Sequence, residues 1–170
     1  NITAVGDRMF FCTLNSLWIS DGTDAGTQVI KTFAGTPASL KDVGGVLFFS
    51  ANDGVSGTEL WKSDGTDAGT VLVKDIRTGT DGTGPLSSAP RLLFASGSTL
   101  YFAAETGGAQ PSLWRSDGTP SGTYTLANIA GNVLDGAYAG RWAELHGVAY
   151  FPAWEPATGI ELWRTDGTPG

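Results

Sequence analysis

The stretch ELWKSDGTDAGT at 59–70 decides the fold, because the chain repeats it. Related stretches are SLWISDGTDAGT at 16–27, SLWRSDGTPSGT at 112–123 and ELWRTDGTPG at 161–170. Four copies of one unit indicate a repeat architecture, in which each unit buries apolar surface against its neighbours.

Each copy carries further apolar segments around this motif. An aromatic pair precedes it, one short segment comes before the pair, and another follows each complete copy. In the second copy the segments are SLKDV, VLFFSA, TELWKS and TVLVKDI. They are rich in strand-forming residues and bounded by turn residues, so each unit predicts four short strands. The aromatic pairs are Phe10-Phe11, Phe48-Phe49, Tyr101-Phe102 and Tyr150-Phe151.

Four strands in a repeat of about 40–50 residues are typical of a β-propeller blade. We therefore predict an all-β chain that forms one repeat domain over 1–170, a β-propeller of four-stranded antiparallel blades. The predicted blades cover approximately 1–33, 38–76, 90–129 and 141–170, and the last lacks its fourth strand. We expect this arc to belong to a larger propeller; the alternatives are a self-contained ring and an oligomer in which a partner supplies the missing strand.

Adjacent apolar residues predict how the sheets pack. Leu60 and Trp61 must point to opposite faces of a sheet, because side chains alternate along a strand. A sheet with apolar groups on both faces is expected between two other sheets. The four repeated tryptophans are accordingly expected in the core: Trp18, Trp61, Trp114 and Trp163.

The Asp-Gly-Thr motif predicts a tight turn. Aspartate accepts hydrogen bonds from amides just downstream, and glycine tolerates a positive φ. The second acid, Asp24 or Asp67, becomes proline in the other two copies, which argues against a calcium site in every unit. We predict structural aspartates and no cofactor or metal, with structural calcium as the weaker alternative. These aspartates are Asp21, Asp64, Asp117 and Asp166.

The phrase ELWKSDGTDAGTVLVKDI, with VLFFSANDGVSG ahead of it, resembles the ELWxxDGT repeat family of bacterial secreted proteins. The resemblance covers nearly the whole chain. Copies two and four match every fixed letter, whereas Ser16 and Ser112 replace the glutamate in the other two. It implies a propeller-like protein that is exported, either secreted or on the bacterial cell surface, and it brings no catalytic residue with it.

Composition excludes some function classes. The formal charge of −7 argues against nucleic-acid binding, which needs a basic face. The single cysteine, Cys12, cannot form an intrachain disulfide and is expected to be a small buried residue. No apolar run approaches the 18 residues of a membrane span.

Catalytic chemistry has few candidate residues. The one histidine, His146, precedes a glycine at a predicted turn, and it lies in a different unit from Cys12. A glycosidase needs only two carboxylates, and the acids that turns do not explain are Glu105, Glu144 and Glu155. We predict a non-catalytic protein and keep a glycoside-active enzyme as a distant third alternative.

A binding function is better supported than a catalytic one, and its candidate residues lie at positions where the repeats differ. Trp154 takes the position of Asn52 and Glu105, in a predicted loop between the second and third strands. An exposed indole beside Glu155 suits a protein pocket or a sugar ring, whereas the alternative is an indole that packs onto the neighbouring blade or loop. Tyr138 and Arg141, in the connection NVLDGAYAGRW, are weaker candidates, whereas Trp142 is expected in the core. The segment RTGTDGTGPLSSAP at 77–90 predicts a flexible surface loop.

These observations favour a scaffold for protein–protein interaction or adhesion. Its partner would be another protein or the remainder of its own longer chain. The alternative is a carbohydrate-binding, lectin-like propeller. A lectin built from repeats is expected to repeat its sugar-stacking aromatic, whereas here that position changes from one unit to the next.

Overall fold

A computed structural model describes residues 2–108, 111–127, 141–155 and 157–168. Every regular element in these residues is a β-strand, as predicted, and the strands form four antiparallel sheets. The sheets are, in chain order: β1 Ile2–Val5, β2 Arg8–Thr13, β3 Ser16–Ser20 and β4 Gln28–Thr32; β5 Ala38–Val43, β6 Val46–Asn52, β7 Thr58–Ser63 and β8 Val71–Lys74; β9 Arg91–Ser96, β10 Thr99–Ala104, β11 Ser112–Ser116 and β12 Tyr124–Ala127; β13 Ala143–Leu145, β14 Val148–Glu155 and β15 Gly159–Thr165.

Each sheet is a meander in which neighbours in sequence are neighbours in space. The second aromatic of each pair lies opposite the repeated tryptophan, as Phe49 lies opposite Trp61. The register shifts between Leu60 and Trp61 where β7 meets β8, and the same shift recurs in sheets 1 and 3. The repeat in sequence is therefore a repeat of strand register as well. Within the described residues, the fourth sheet has three strands.

Every sheet has two apolar faces of different composition. The leucine face carries the Leu of Leu-Trp and the first aromatic of the pair, and the tryptophan face carries the Trp and the second aromatic. In sheet 2, Leu60 and Phe48 pack against sheet 3, whereas Trp61 and Phe49 pack against sheet 1. The prediction that adjacent apolar residues serve opposite faces is confirmed.

Among the residues that the structure describes, the core consists of three clusters, one between each pair of consecutive sheets. In all three, the leucine face of one sheet packs on the tryptophan face of the next. Between sheets 3 and 4, for example, Tyr101 and Leu113 meet Phe151. Because neighbouring sheets meet through unlike faces, the stack has a direction.

The Asp-Gly-Thr motif forms the predicted turn. Asp64 Oδ1 accepts hydrogen bonds from the Thr66 amide (2.9 Å) and hydroxyl (2.7 Å), and Thr66 Oγ1 accepts one from the Gly69 amide (2.9 Å). A Cβ atom at Gly69 would lie 2.1 Å from Asp64 Oδ1, so only glycine fits there. The turn therefore needs the glycine of Ala-Gly-Thr as well as the Asp-Gly-Thr.

Candidate functional site

In sheets 2, 3 and 4, the Asp-Gly-Thr hairpin also contacts the preceding sheet. Gly65 adopts a φ of +96°, and a Cβ atom there would lie 2.8 Å from Ile19 Cδ1 of sheet 1. At the next two interfaces, Cβ atoms at Gly118 and Gly167 would lie 3.1 Å from Phe48 and Tyr101. Gly22, in sheet 1, has no such neighbour within 4 Å. The glycine of Asp-Gly-Thr thus contacts the preceding sheet at three interfaces, whereas Gly22 of sheet 1 has no such contact.

Cations reinforce two of these interfaces. Lys31 Nζ donates to Asp67 Oδ1 (2.7 Å) in the hairpin of sheet 2. Lys74 Nζ donates to the carbonyl oxygens of Thr123 (2.6 Å) and Pro120 (3.3 Å) in the hairpin of sheet 3. Sequence reasoning missed these residues. The signal was present, because Lys31 and Lys74 follow the Gly-Thr of their motifs at the same spacing.

Tyrosine and arginine replace lysine at the third interface. The Tyr124 hydroxyl donates to the Gly167 carbonyl oxygen at 2.8 Å, and Arg115 Nη1 donates to the same oxygen at 3.4 Å. The Arg115 guanidinium also lies 5.3 Å from the centre of the Tyr124 ring. The polar link between sheets is therefore kept while its residues change.

Glu59, the first letter of ELW, holds the long connection against sheet 2. Its side chain is fully buried and accepts hydrogen bonds from the amides of Ile76 (3.0 Å) and Ser88 (2.8 Å) and from the Ser88 hydroxyl. Burial raises the pKa of this carboxyl, while the hydrogen bonds partly oppose the shift. The Ala89 amide also donates to the Thr58 carbonyl oxygen at 3.1 Å. The segment 77–90, expected to be loose, is tied to β7 at its end.

The leucine face of sheet 4 is exposed, unlike its counterparts. The Leu162 side chain is 75% exposed, whereas the equivalent Leu60 is 0% exposed and Leu113 is 2% exposed. Ile160 and Trp154 lie opposite each other on this face, at 50% and 39% exposure. These residues form a continuous apolar surface: Leu145, Tyr150, Pro152, Trp154, Ile160 and Leu162.

The tryptophan face of sheet 1 is also uncovered. Trp18 is only half-buried and stacks on Phe11 of its own sheet, with ring centres 5.9 Å apart. Its neighbours Val29, Met9 and Ile2 are exposed. The expectation of a core position for all four repeated tryptophans is therefore wrong for Trp18, because none of the sheets in the described residues lies against it. Trp61 and Trp114 are buried, and Trp163 is half-buried against the cluster between sheets 3 and 4.

The structure places the predicted binding residues as follows. Trp154 lies within β14, not in a loop, because the β14–β15 pairing continues to Glu155 opposite Gly159. Arg141 is exposed ahead of β13, and Tyr138 lies outside the described residues. Trp142 belongs to the core as expected, stacked on Phe151 with ring centres 4.2 Å apart.

The titratable groups considered for catalysis lie apart from one another, each with other partners. Glu105 pairs with Arg77 at 3.4 Å, and Glu144 accepts a hydrogen bond from Ser96. His146 is an exposed turn residue with a φ of +53°. Burial raises the pKa of Cys12 to about 11, which makes its thiol a poor nucleophile. In the described part of the chain, no three His, Cys, Asp or Glu residues form a group that could hold a metal ion.

One small pocket of about 280 Å³ lies between the β1–β2 turn and the hairpin of sheet 2. Its polar lining includes Asp7, Arg8 and Asp64. The Asp64 carboxylate already accepts the two hydrogen bonds of the turn, so its Oδ1 is committed to the hairpin. The uncovered sheet faces are the stronger candidate site.

No protein-family model matches this sequence, and no curated protein matches it either. Across the residues that the structure describes, no helix is long and apolar enough to cross a membrane.

Proposed function

We propose that the four sheets are blades of a β-propeller, and that the protein is a non-catalytic, exported scaffold for protein–protein interaction or adhesion. Three interfaces of one kind, each with a leucine face on a tryptophan face, support the propeller arrangement. The ELWKSDGTDAGT phrase, similar to the ELWxxDGT family of bacterial secreted proteins, supports export.

The observation that carries the binding function is the apolar leucine face of sheet 4. Large exposed apolar patches mark protein interaction sites. Tryptophans that become buried when the complex forms are enriched among the residues that contribute most to binding. Trp154 lies opposite Ile160, and Leu162 lies on the next rung of the same face. A protein partner that covers this face would remove its apolar side chains from contact with water.

Carbohydrate binding is the second candidate, because Trp154 is 39% exposed and could stack on a sugar ring. A sugar site also needs polar groups that bond the ring hydroxyls. The neighbours of Trp154 on its face are aliphatic. Protein binding therefore fits this surface better than carbohydrate binding.

A displayed library of random peptides and a glycan array, both probed with the purified chain, test the proposal. We expect enriched apolar peptides whose binding is lost in both Trp154→Ala and Leu162→Glu, and no selective glycan. Val55→Glu, at an exposed position outside the face, is the charge-matched control and should leave binding unchanged. Selective glycan binding that Trp154→Ala abolishes and Leu162→Glu leaves intact would contradict the proposal.

A further inference from the structure

We infer that the tip of the connection 77–90 binds a partner protein through an aromatic side chain and a neighbouring lysine or arginine of that partner. The inference rests on the proposed interaction function and adds a site apart from the leucine face of sheet 4. The tip, residues 80–84, contains a fifth Asp-Gly-Thr, which begins at Asp81.

The tip has the local structure of the sheet hairpins. Asp81 Oδ1 accepts hydrogen bonds from the Thr83 amide (3.0 Å) and hydroxyl (2.6 Å), as Asp64 Oδ1 does in sheet 2. Gly82 adopts a φ of +88°, within the range of +84° to +96° of the three hairpin glycines that contact a preceding sheet. The hydrogen bonds from the Thr83 side chain and amide lower the pKa of the Asp81 carboxyl, so the tip is negatively charged at neutral pH.

The chemistry of the partner follows from what the sheet hairpins contact. At all three interfaces, a Cβ atom on the glycine of Asp-Gly-Thr would lie within 4 Å of an aromatic side chain and of a lysine or arginine. At Gly118 it would lie 3.1 Å from Phe48 Cζ and 3.6 Å from Lys62 Nζ. Phe48 and Lys62 lie directly opposite each other on β6 and β7, and the pair at the next interface does likewise. The turn therefore fits an aromatic ring and a cation held on neighbouring strands.

The tip is fixed at its base and exposed beyond it. The Ser88 amide donates to Glu59 of sheet 2 (2.8 Å), and the Ser88 carbonyl oxygen accepts a hydrogen bond from the Glu105 amide at the end of β10 (2.7 Å). Residues 78–83 are exposed, and no other described residue lies within 4 Å of a Cβ atom at Gly82 apart from its chain neighbours. A turn that is already formed loses little conformational freedom on binding.

The occupant is a separate protein, because the units of this chain contact one another elsewhere. The sheet hairpins follow β3, β7 and β11, whereas the connection is anchored beside the start of β7 and the end of β10, at the opposite end of the strands. A further unit of the chain would stack on a sheet face. Sheets 2 and 3, which carry the connection, already have a sheet against both faces.

Selection from a displayed library of β-hairpin peptides, randomised on both strands, tests the inference. The hairpin of sheet 1 presents the same turn, with open space around Gly22, and the leucine face of sheet 4 is also exposed. The parent protein for selection therefore carries Gly22→Ala and Leu162→Glu, which block both surfaces. We expect enriched peptides in which an aromatic residue lies directly opposite a lysine or arginine.

Gly82→Ala is the decisive variant, because its methyl group would occupy the space that the partner's ring needs. Gly97→Ala is the matched control: Gly97 also has a positive φ (+53°) and open space around it, but it lies in the β9–β10 turn. Added to the parent, Gly82→Ala should weaken binding of the enriched peptides roughly 10-fold or more, and Gly97→Ala should leave it unchanged. Both variants should keep the melting temperature of the parent within a few degrees.

Three results would overturn the inference: no enrichment of the aromatic–cation pair, equal peptide binding by Gly82→Ala and the parent, or equal losses in Gly82→Ala and Gly97→Ala. Apolar peptides that bind the wild type and are lost in Leu162→Glu would, beside any of these results, leave the proposed function standing and remove only this site.

Discussion

Trp61 shows how one residue links two sheets. Its side chain is 6% exposed and meets the Phe33 ring edge-on, with ring centres 5.1 Å apart. Replacement by alanine removes these contacts and leaves a cavity, because the surrounding structure relaxes only in part. Trp61 thus connects the strand pairing of sheet 2, where it lies opposite Phe49, with the packing of sheet 2 against sheet 1.

We expect Trp61→Ala to lower the free energy of unfolding by about 3–5 kcal/mol. Urea denaturation followed by circular dichroism measures this change. Trp154→Ala is the matched control, because the same substitution at a 39% exposed position should have a much smaller effect. Equal losses from the two variants would show that burial between sheets does not distinguish these tryptophans.

At the scale of the element, the hairpin combines a turn and a docking surface. The polar side chains of its aspartate and threonine form hydrogen bonds within the turn, whereas the glycine of Asp-Gly-Thr faces the preceding sheet. Gly22 and Gly65 have nearly the same φ, +91° and +96°, but only Gly65 has a neighbouring sheet within reach of a Cβ atom. Substitutions at these two positions can therefore distinguish the cost of backbone strain from the cost of disturbed packing between sheets.

We expect Gly65→Ala to destabilise the protein more than Gly22→Ala. Both substitutions place a side chain at a positive φ, a cost of about 1 kcal/mol. Only Gly65→Ala also forces Ile19 to move, because the added Cβ would lie 2.8 Å from Ile19 Cδ1. Thermal unfolding of the two variants measures the difference, and identical melting temperatures would show that the turn alone requires this glycine.

At the scale of the whole molecule, the repeated hairpins make stability depend on pH. Hydrogen bonds from the following threonine lower the pKa of each motif aspartate below 3.8, its ordinary value. A lowered pKa in the folded state contributes stability above the ordinary pKa, and that contribution is lost as the pH falls through the lowered value. Glu59 acts in the opposite direction, because its raised pKa contributes stability at low pH that is lost as the pH rises above 4.5.

We expect the melting temperature to fall as the pH drops below about 4, because the hairpin aspartates lose their contribution there, whereas the contribution of Glu59 changes only above pH 4.5. Scanning calorimetry between pH 6 and pH 2.5 measures this. Asp64→Asn keeps an oxygen that can accept the two hydrogen bonds from Thr66 but cannot titrate, so it should reduce the acid loss relative to wild type. An unchanged pH profile in this variant would remove Asp64 from the explanation.

The sequence by itself determined the strands, the hairpins and the two-faced sheets. These follow from local chemistry: apolar residues adjacent in a strand must serve opposite faces, and Asp-Gly-Thr satisfies its own polar groups within the turn. Because four copies carry the same pattern, each of these predictions rests on all four units and not on one.

Only the tertiary structure decided which copies of a repeated residue are buried. Leu60 and Leu162 stand in the same motif, yet one is fully buried and the other 75% exposed, because burial depends on whether a sheet lies against that face. The same holds for Trp61 and Trp18, and for Glu59, which is buried because a distant serine folds back onto it. A local pattern specifies which face a side chain takes, whereas its environment depends on residues far away along the chain.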